Sequence, residues 1–312
     1  QIPLIVISAD RPQSKIDIGD GQTIRQENVF SNHSVFNANL TEEASEENDL
    51  KINLAIETAI LKKGPVHINA PFEEPLYETT EELSVQPKTT VLQPQNLSKN
   101  IENSEEFVSI WNTAKRKLVL VGVNEAYSID QEIIENLASD PSVVVLTDTT
   151  SNLHHESFIN SIDTLITPFD DFDFKQFNPE VLVTFGGMVV SKRIKGFLRK
   201  YKPTQHWHID TLRAYDTFGA LTKHFEMLPN DFFKDLLSKT SFVKSNYFNN
   251  VDAVYQTRLE RRKEYLSKIG FSDFKVFEKV IVSLPKNSLL QISNSSAIRY
   301  GQLIDIDDTI EV

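Results

Sequence analysis

Apolar and polar positions along this chain fall into strand-like runs separated by helical spacings. Pro3 to Ser8 is a short continuous apolar run, the pattern of a parallel strand buried on both faces. A polar stretch follows, in which Gly19 and Gly21 mark a turn. Asn48 and Asp49 offer an N-cap for a helix over Leu50 to Lys63, with Leu50, Leu54, Ile60 and Leu61 towards one face; Gly64 and Pro65 stop it. Val66 to Ala70 reads as a second strand, ended by Pro71. Strand, helix, strand is the order expected at the end of an α/β domain.

From Glu78 to about Asn100 the periodicity fades, and Pro87 and Pro94 interrupt a polar sequence, as in an interdomain linker. A more regular alternation follows. Ile101 to Arg116 has helical spacing, Lys117 to Val123 is a strand, and Asp130 to Ser139 a helix. Ser142 to Asp148 and Pro179 to Gly187 are strands, Ser191 to Tyr201 a helix, and His206 to Asp210 a further strand. The pattern predicts a doubly wound parallel sheet. Val251 to Ile269 is a charged amphipathic helix, Phe274 to Leu284 a second, and Ser288 to Ser293 a last strand. The predicted class is α/β, with a doubly wound central domain over 101–270. Residues 1–77 form the closing part of another domain, 78–100 the linker, and 271–312 the start of a third. The chain opens at Gln1 and stops at Val312 without a closing element, which reads as an internal piece of a longer protein.

Composition narrows the function classes. The 312 residues suit about two domains. With 32 basic against 44 acidic side chains the net charge is −12, which argues against nucleic acid or an anionic membrane as partner. No run approaches the roughly 20 apolar residues of a membrane span, and no signal-peptide pattern opens the chain. The absence of cysteine removes disulfides, thiolate chemistry, iron–sulfur clusters and cysteine zinc sites, and fits a cytoplasmic location. Ten glycines, against a typical ~7% of residues, leave little room for glycine-rich phosphate loops.

Several residue groups carry candidate chemistry. Gly19-Asp20-Gly21 followed by Asn48 mimics the Gly-Asp-Gly…Asn signature that holds a divalent metal and a diphosphate. Magnesium needs converging oxygen ligands, yet the triplet follows no buried strand and Asn48 stands where a helix begins, so capping is the better reading. Arg11, between Asp10 and Pro12, stands at the carboxyl end of the first strand, where open α/β sheets bind ligands. Its fork could take a carboxylate, or pair with Asp10 or Asp17 in water. Gln22, Arg25 and Gln26 follow and could line the same crevice. Gly186 and Gly187 lead through a small-residue turn to Ser191 and Lys192, where helix N–H groups and an ammonium suit an anion. A plain basic helix face is the equal alternative. Ser295 or Ser296 could cap a helix with Arg299 one turn on, either as a carboxylate site or as an ordinary cap. His206, His208 and Asp210 share a strand face, an arrangement more often hydrogen-bonded than metal-binding; His154 and His155 would point apart.

Taken together, these residues resemble thiamine-diphosphate enzymes, and among them the synthases of the menaquinone route. Pro3 to Pro12, with Gly19, Gln22, Ile24 and Gln26, is similar to their pyrimidine-binding domain, and Gly64 to Leu76 to the segment that closes it. Phe185 to Lys192 and Asn294 to Arg299 carry the likeness further along the chain. The resemblance implies that 1–77 and 271–312 are parts of thiamine-diphosphate-binding domains flanking the central one. It implies thiamine diphosphate and Mg2+ as cofactors, with the activating glutamate and the metal signature outside this chain. It also implies loss of carbon dioxide from 2-oxoglutarate and addition of the remaining succinyl unit to isochorismate. On that likeness Arg11, Gln22 and Lys192 would hold isochorismate, and Ser295 and Arg299 the distal carboxylate of the succinyl unit. Gly21 departs from the family's usual residue before that glutamine, which puts the local loop geometry in question. A homodimer or homotetramer is implied for the intact enzyme. Another thiamine-diphosphate lyase, and a non-catalytic α/β dimerisation or ligand-binding module, are the alternatives.

Overall fold

The computed structural model describes residues 2–73, 77, 79, 81–82, 85–90 and 100–312. Gln1, Leu76, Pro94 and much of the predicted 78–100 linker lie outside the described residues. The chain forms two compact units, Gln1–Asn96 and Leu97–Val312.

In the first unit, β1 (Leu4–Asp10), β2 (Phe36–Asn39) and β3 (Pro65–Pro71) make a parallel sheet in the order β1-β3-β2. Helix α1 (Glu46–Lys62) packs on it through Ala55 and Ala59, against Ala38, Val66 and Ile68. Small side chains on the helix let it lie close to the sheet. The stripe expected to face inward is instead turned out, with Leu50 67% exposed. β1 is likewise not buried on both faces: it is an edge strand, and Ile7 is 69% exposed. An apolar run reports strand propensity, but not which faces a neighbour covers. The cap also differs from expectation. Ser45 rather than Asn48 is the N-cap, its Oγ accepting the Asn48 N–H, and Lys63 ends the helix in a left-handed conformation (φ 44°).

The second unit is built on five parallel strands, β4 (Lys117–Val121), β5 (Val143–Thr147), β6 (Val181–Phe185), β7 (Gln205–Ile209) and β8 (Lys223–Phe225), in the order β5-β4-β6-β7-β8. Its helices are α2 (Ser104–Thr113), α3 (Gln131–Ser139), α4 (Ile162–Ile166), α5 (Asp171–Phe177), α6 (Lys192–Lys200), α7 (Pro229–Leu237), α8 (Tyr247–Lys268), α9 (Asp273–Val282) and α10 (Ser296–Gly301). Alternating side chains of each strand feed two cores. Val119, Val121, Val183 and Trp207 meet α2, α3 and α7 through Trp111, Leu137 and Phe232. Leu118, Leu120, Val144 and Leu182 meet α4, α6 and α8 through Leu165, Phe197 and Val251. Burial on both faces is why β4, β5 and β6 read as largely apolar runs. The doubly wound sheet is as expected, whereas the strand expected over Ser288 to Ser293 is reduced to a bridge between Leu289 and Glu311. Among the described residues that stretch pairs as a strand only around Glu311, too little to propagate a ladder.

The strand order reverses between β4 and β6, which places their carboxyl ends side by side at the switch point. There the two chains are clamped together. Gly122 N–H donates to Phe185 O (3.0 Å) and Gly187 N–H to Val123 O (2.6 Å). A Cβ on Gly122 would lie 1.9 Å from Gly187 O, so only glycine permits this approach.

Candidate functional site

In the first unit, the carboxyl end of β1 carries a polar network. Asp10 accepts the Arg11 N–H and the Asn69 amide, each at 2.8 Å. Gln26 donates to Ala9 O (2.8 Å) and Asn69 Oδ1 (2.6 Å), and Ser8 Oγ lies 2.7 Å from His67 Nε2. Burial lowers the His67 pKa, and Phe30 packs edge-on against its ring. Beside this network Arg11 Nη2 donates to Gln22 Oε1 at 3.3 Å, so these two predicted residues meet. A short 3-10 turn over Gln13–Lys15 folds the chain back, and Gln22 sits in the left-handed region (φ 59°). Asp17, a possible partner of Arg11 from sequence, pairs with Arg25 at 3.1 Å.

The Gly19 to Gly21 turn closes on itself. Asp20 Oδ1 accepts the Gly21 N–H, and Asp20 O accepts from Thr23 Oγ. Asn48 is buried, accepts the Thr41 N–H, and donates to Thr41 O and Glu43 O. Its amide is consumed in shaping the loop before α1.

In the second unit, Lys192 opens α6 and is exposed, while Ser191 before it is buried. Ser191 Oγ accepts the Ile194 N–H and donates to Asp163 Oδ1, which caps the helix with a side chain. Ser295 and Arg299 lie on the exposed side of α10. Ser295 does not cap it with its side chain: at φ 71° its N–H is turned back onto Asn294 Oδ1 (2.7 Å). Neither the Lys192 ammonium nor the Arg299 guanidinium has an ion-pair or hydrogen-bond partner among the described residues.

Asp148, at the end of β5, joins these two places. It is buried, and accepts the Val190 N–H just before α6 and the Gln302 amide just after α10 (2.8 Å). Burial pushes its carboxyl up to about 6 against the pull of the Val190 N–H; Asp163 adds to the rise and Lys195 opposes it.

His206, His208 and His224 belong to the sheet of the second unit. Thr184 Oγ lies 2.9 Å from His206 Nε2 and 2.8 Å from His208 Nδ1, and His224 Nε2 lies 2.7 Å from Asp210 O. Burial, helped by the neighbouring His208, lowers His206 to about 4. His154 pairs with Asp308 (3.1 Å) and His155 lies 3.6 Å from Glu135. No group of three or more metal-ligating side chains occurs among the described residues. No helix among them is long and apolar enough to cross a membrane.

Residues 85–292 match the family model described as "Middle domain of thiamine pyrophosphate". The chain belongs to this family of thiamine pyrophosphate enzymes. Among curated relatives, 2-succinyl-5-enolpyruvyl-6-hydroxy-3-cyclohexene-1-carboxylate synthase of Flavobacterium johnsoniae is 76% identical over 313 residues, covering all of this chain and 56% of the relative. The proteins of the same name from Flavobacterium psychrophilum and Christiangramia forsetii are 61% and 44% identical, again over the whole chain and 56% and 58% of their own lengths. The chain thus spans about half the length of the curated relatives it matches.

In this thiamine pyrophosphate enzyme domain the doubly wound sheet of the second unit brings the Lys192 turn and the α10 segment onto one buried carboxylate. Arg11 and Gln22 meet in the first unit. Sequence reasoning missed Asp148 and Gln302. They are single residues 154 positions apart, joined only by folding, and the available signal was a strand ending in an acidic residue. Asp20 is folded onto its own turn and Asn48 is saturated by backbone, so this pair does not fit a diphosphate-bound magnesium ion.

Proposed function

We propose that this chain belongs to an enzyme that transfers the succinyl semialdehyde unit of 2-oxoglutarate, with loss of carbon dioxide, to isochorismate, using thiamine diphosphate and Mg2+. The observation that carries the reading is 76% identity, over the whole chain, to a synthase whose name specifies the succinyl-bearing cyclohexene carboxylate product. The domain scheme of 1–77, 78–100, 101–270 and 271–312, a cytoplasmic location, and a homodimer or homotetramer belong to the same proposal.

The chain's own contribution is to hold acids. Both substrates are polyanions, and the net charge of −12 repels them at long range. Local cations must therefore capture them. We assign Lys192, with Arg11 and Gln22, to isochorismate, and Ser295 and Arg299 to the distal carboxylate of the succinyl unit. Lys192 and Arg299 are exposed and uncommitted to ion pairs among the described residues, which supports their availability. A charge-assisted hydrogen bond of this kind is worth about 1.5–3 kcal/mol. No step is assigned to the Gly19 to Gly21 turn or to Asn48, which do not fit the cofactor.

The test uses the full-length gene product with thiamine diphosphate, Mg2+, isochorismate and 2-oxoglutarate. The reading requires carbon dioxide release in step with loss of isochorismate. Decarboxylation of pyruvate in preference to 2-oxoglutarate would transfer the protein to another lyase of the superfamily. Absence of turnover in a folded, cofactor-loaded protein would favour a non-catalytic module.

A further inference from the structure

The hydrogen bonds around Asp148 and Gln302 form a path of buried and half-buried groups between the α10 segment and the turn that carries Lys192. Gln302 follows α10 directly and is almost fully buried. Its backbone N–H donates to Ile298 O (3.0 Å), its carbonyl accepts Ser161 Oγ (2.6 Å), and its amide donates to Asp148 Oδ1 (2.8 Å). Arg262 braces the same corner, with Nη2 2.9 Å from both oxygens of Asp305 and Nη1 3.4 Å from Ser161 Oγ. Arg299 stands one helical turn before Gln302, on the neighbouring surface of α10.

At the other end of the path, Asp148 Oδ2 accepts the Val190 N–H, and Ser191 is pinned between Asp163 and the Ile194 N–H. Lys192 is the next residue. Asp148 itself is fixed from behind, because its N–H donates to Ser151 Oγ, which in turn donates to Val121 O (each 2.8 Å). The links between Arg299 and Lys192 are thus buried or half-buried groups with their partners in place. Networks of this kind hold one geometry, because losing any member strands the others away from water.

We propose that Asp148 and Gln302 are positioning residues, whose buried hydrogen bond sets the place of the Lys192 ammonium relative to the Arg299 guanidinium so that the two cations hold the substrates as one clamp. The inference rests on the reading of Lys192 and Arg299 as substrate residues. It adds that neither cation is placed by its own helix alone. The carboxylate of Asp148 acts through Val190 and Gln302 rather than by touching substrate.

The test compares Gln302→Leu, which keeps the volume and removes the donor, with Gln302→Asn, which keeps the amide but withdraws it by one methylene. Both are made in the full-length enzyme, with folding checked by tryptophan fluorescence. The expected result is a rise of roughly ten-fold in KM for isochorismate and for 2-oxoglutarate together, with kcat changed far less. A merely structural role would lower the folded fraction, and so kcat, at unchanged KM. Asp148→Asn is the rescue arm. Its oxygen still accepts the Val190 N–H, and the Gln302 amide can turn to accept from its NH2, so both KM values should stay within about two-fold of the parent. If Gln302→Leu does not fold, Gln302→Asn decides. Unchanged KM in the folded Gln302 variants, with KM raised in Lys192→Ala and Arg299→Ala, would overturn the coupling and leave the clamps standing. Unchanged KM in Lys192→Ala and Arg299→Ala would overturn the clamps, and the coupling with them.

Discussion

The two units bury their apolar residues very differently. The second encloses its sheet between two layers of helices, so that Leu118, Val119, Leu120 and Val121 on one strand are all fully buried. The first covers three strands with one helix, through a core of Ala38, Ala55, Ala59, Val66 and Ile68, and leaves Leu4, Ile7, Leu50 and Leu54 exposed. The same kind of strand sequence therefore has different consequences in the two places. In the second unit an apolar run is a core; in the first it is largely surface, with a polar network at its end. Stability should be concentrated in the second unit, and both tryptophans, Trp111 and Trp207, are buried there to report it.

The comparison can be broken most forcefully at Lys117. This lysine is fully buried at the start of β4, 3.2 Å from Asp140, 2.6 Å from Ser142 Oγ and over the Trp111 ring. Burial lowers its pKa and Asp140 pulls it back up. Lys117→Ala strands the Asp140 carboxylate and should cost about 3–5 kcal/mol in urea unfolding followed by fluorescence. Leu120→Ala should cost about 2–5 kcal/mol by opening a cavity. A loss below 1 kcal/mol in both would deny the second unit its rigid core.

Next in size is a pair of opposed pH effects. Asp148 is raised to about 6, so its folded form binds a proton more readily than the unfolded chain does. Its contribution is full below the ordinary aspartate range and is lost as pH rises through about 6. His206 is lowered to about 4, so its contribution is full above pH 6.5 and is lost as pH falls through 4. Each spans roughly 3 kcal/mol, from about 2 pKa units at 1.36 kcal/mol per unit. Asp148→Asn should therefore gain stability relative to the parent as pH rises from 4 to 7, and His206→Gln should lose it over the same range. Slopes of the same sign would show that one of the two groups is not buried as described.

The smallest effects belong to the first unit. Ser45→Ala removes the α1 cap and should cost about 1 kcal/mol, read by hydrogen exchange across α1. Leu50→Ala, at an exposed position, should stay within about 0.5 kcal/mol. A loss of several kcal/mol at Leu50 would mean that a partner surface covers it in the folded protein.

These contrasts also explain what could be read from the sequence. β4, β5 and β6 were legible because double burial makes four of the five residues in each apolar. β2 was not, since Phe36-Asn37-Ala38-Asn39 has turn-like composition and forms a strand only beside β3. β8 is three residues, Lys223 to Phe225, and the five residues of α4 are too short for a helical period to show. Along β1 the run of apolar residues was plain, but its exposure depends on which neighbours the sheet acquires. At the candidate site, Arg11 and Gln22 were legible together because they lie eleven positions apart on one turn. Lys192 and Arg299 were legible separately, each as a cation at an element boundary. The Asp148 carboxylate between them was not, because its partners Val190 and Gln302 come from two distant segments.

Lys192 and Arg299 are proposed to hold different acids. Steady-state kinetics of Lys192→Ala and Arg299→Ala in the full-length enzyme, varying each substrate in turn, test it most directly. The expected result is a rise of ten-fold or more in KM for isochorismate alone in the first variant, and for 2-oxoglutarate alone in the second, at unchanged unfolding midpoints. Unchanged KM for both substrates in both folded variants would contradict it.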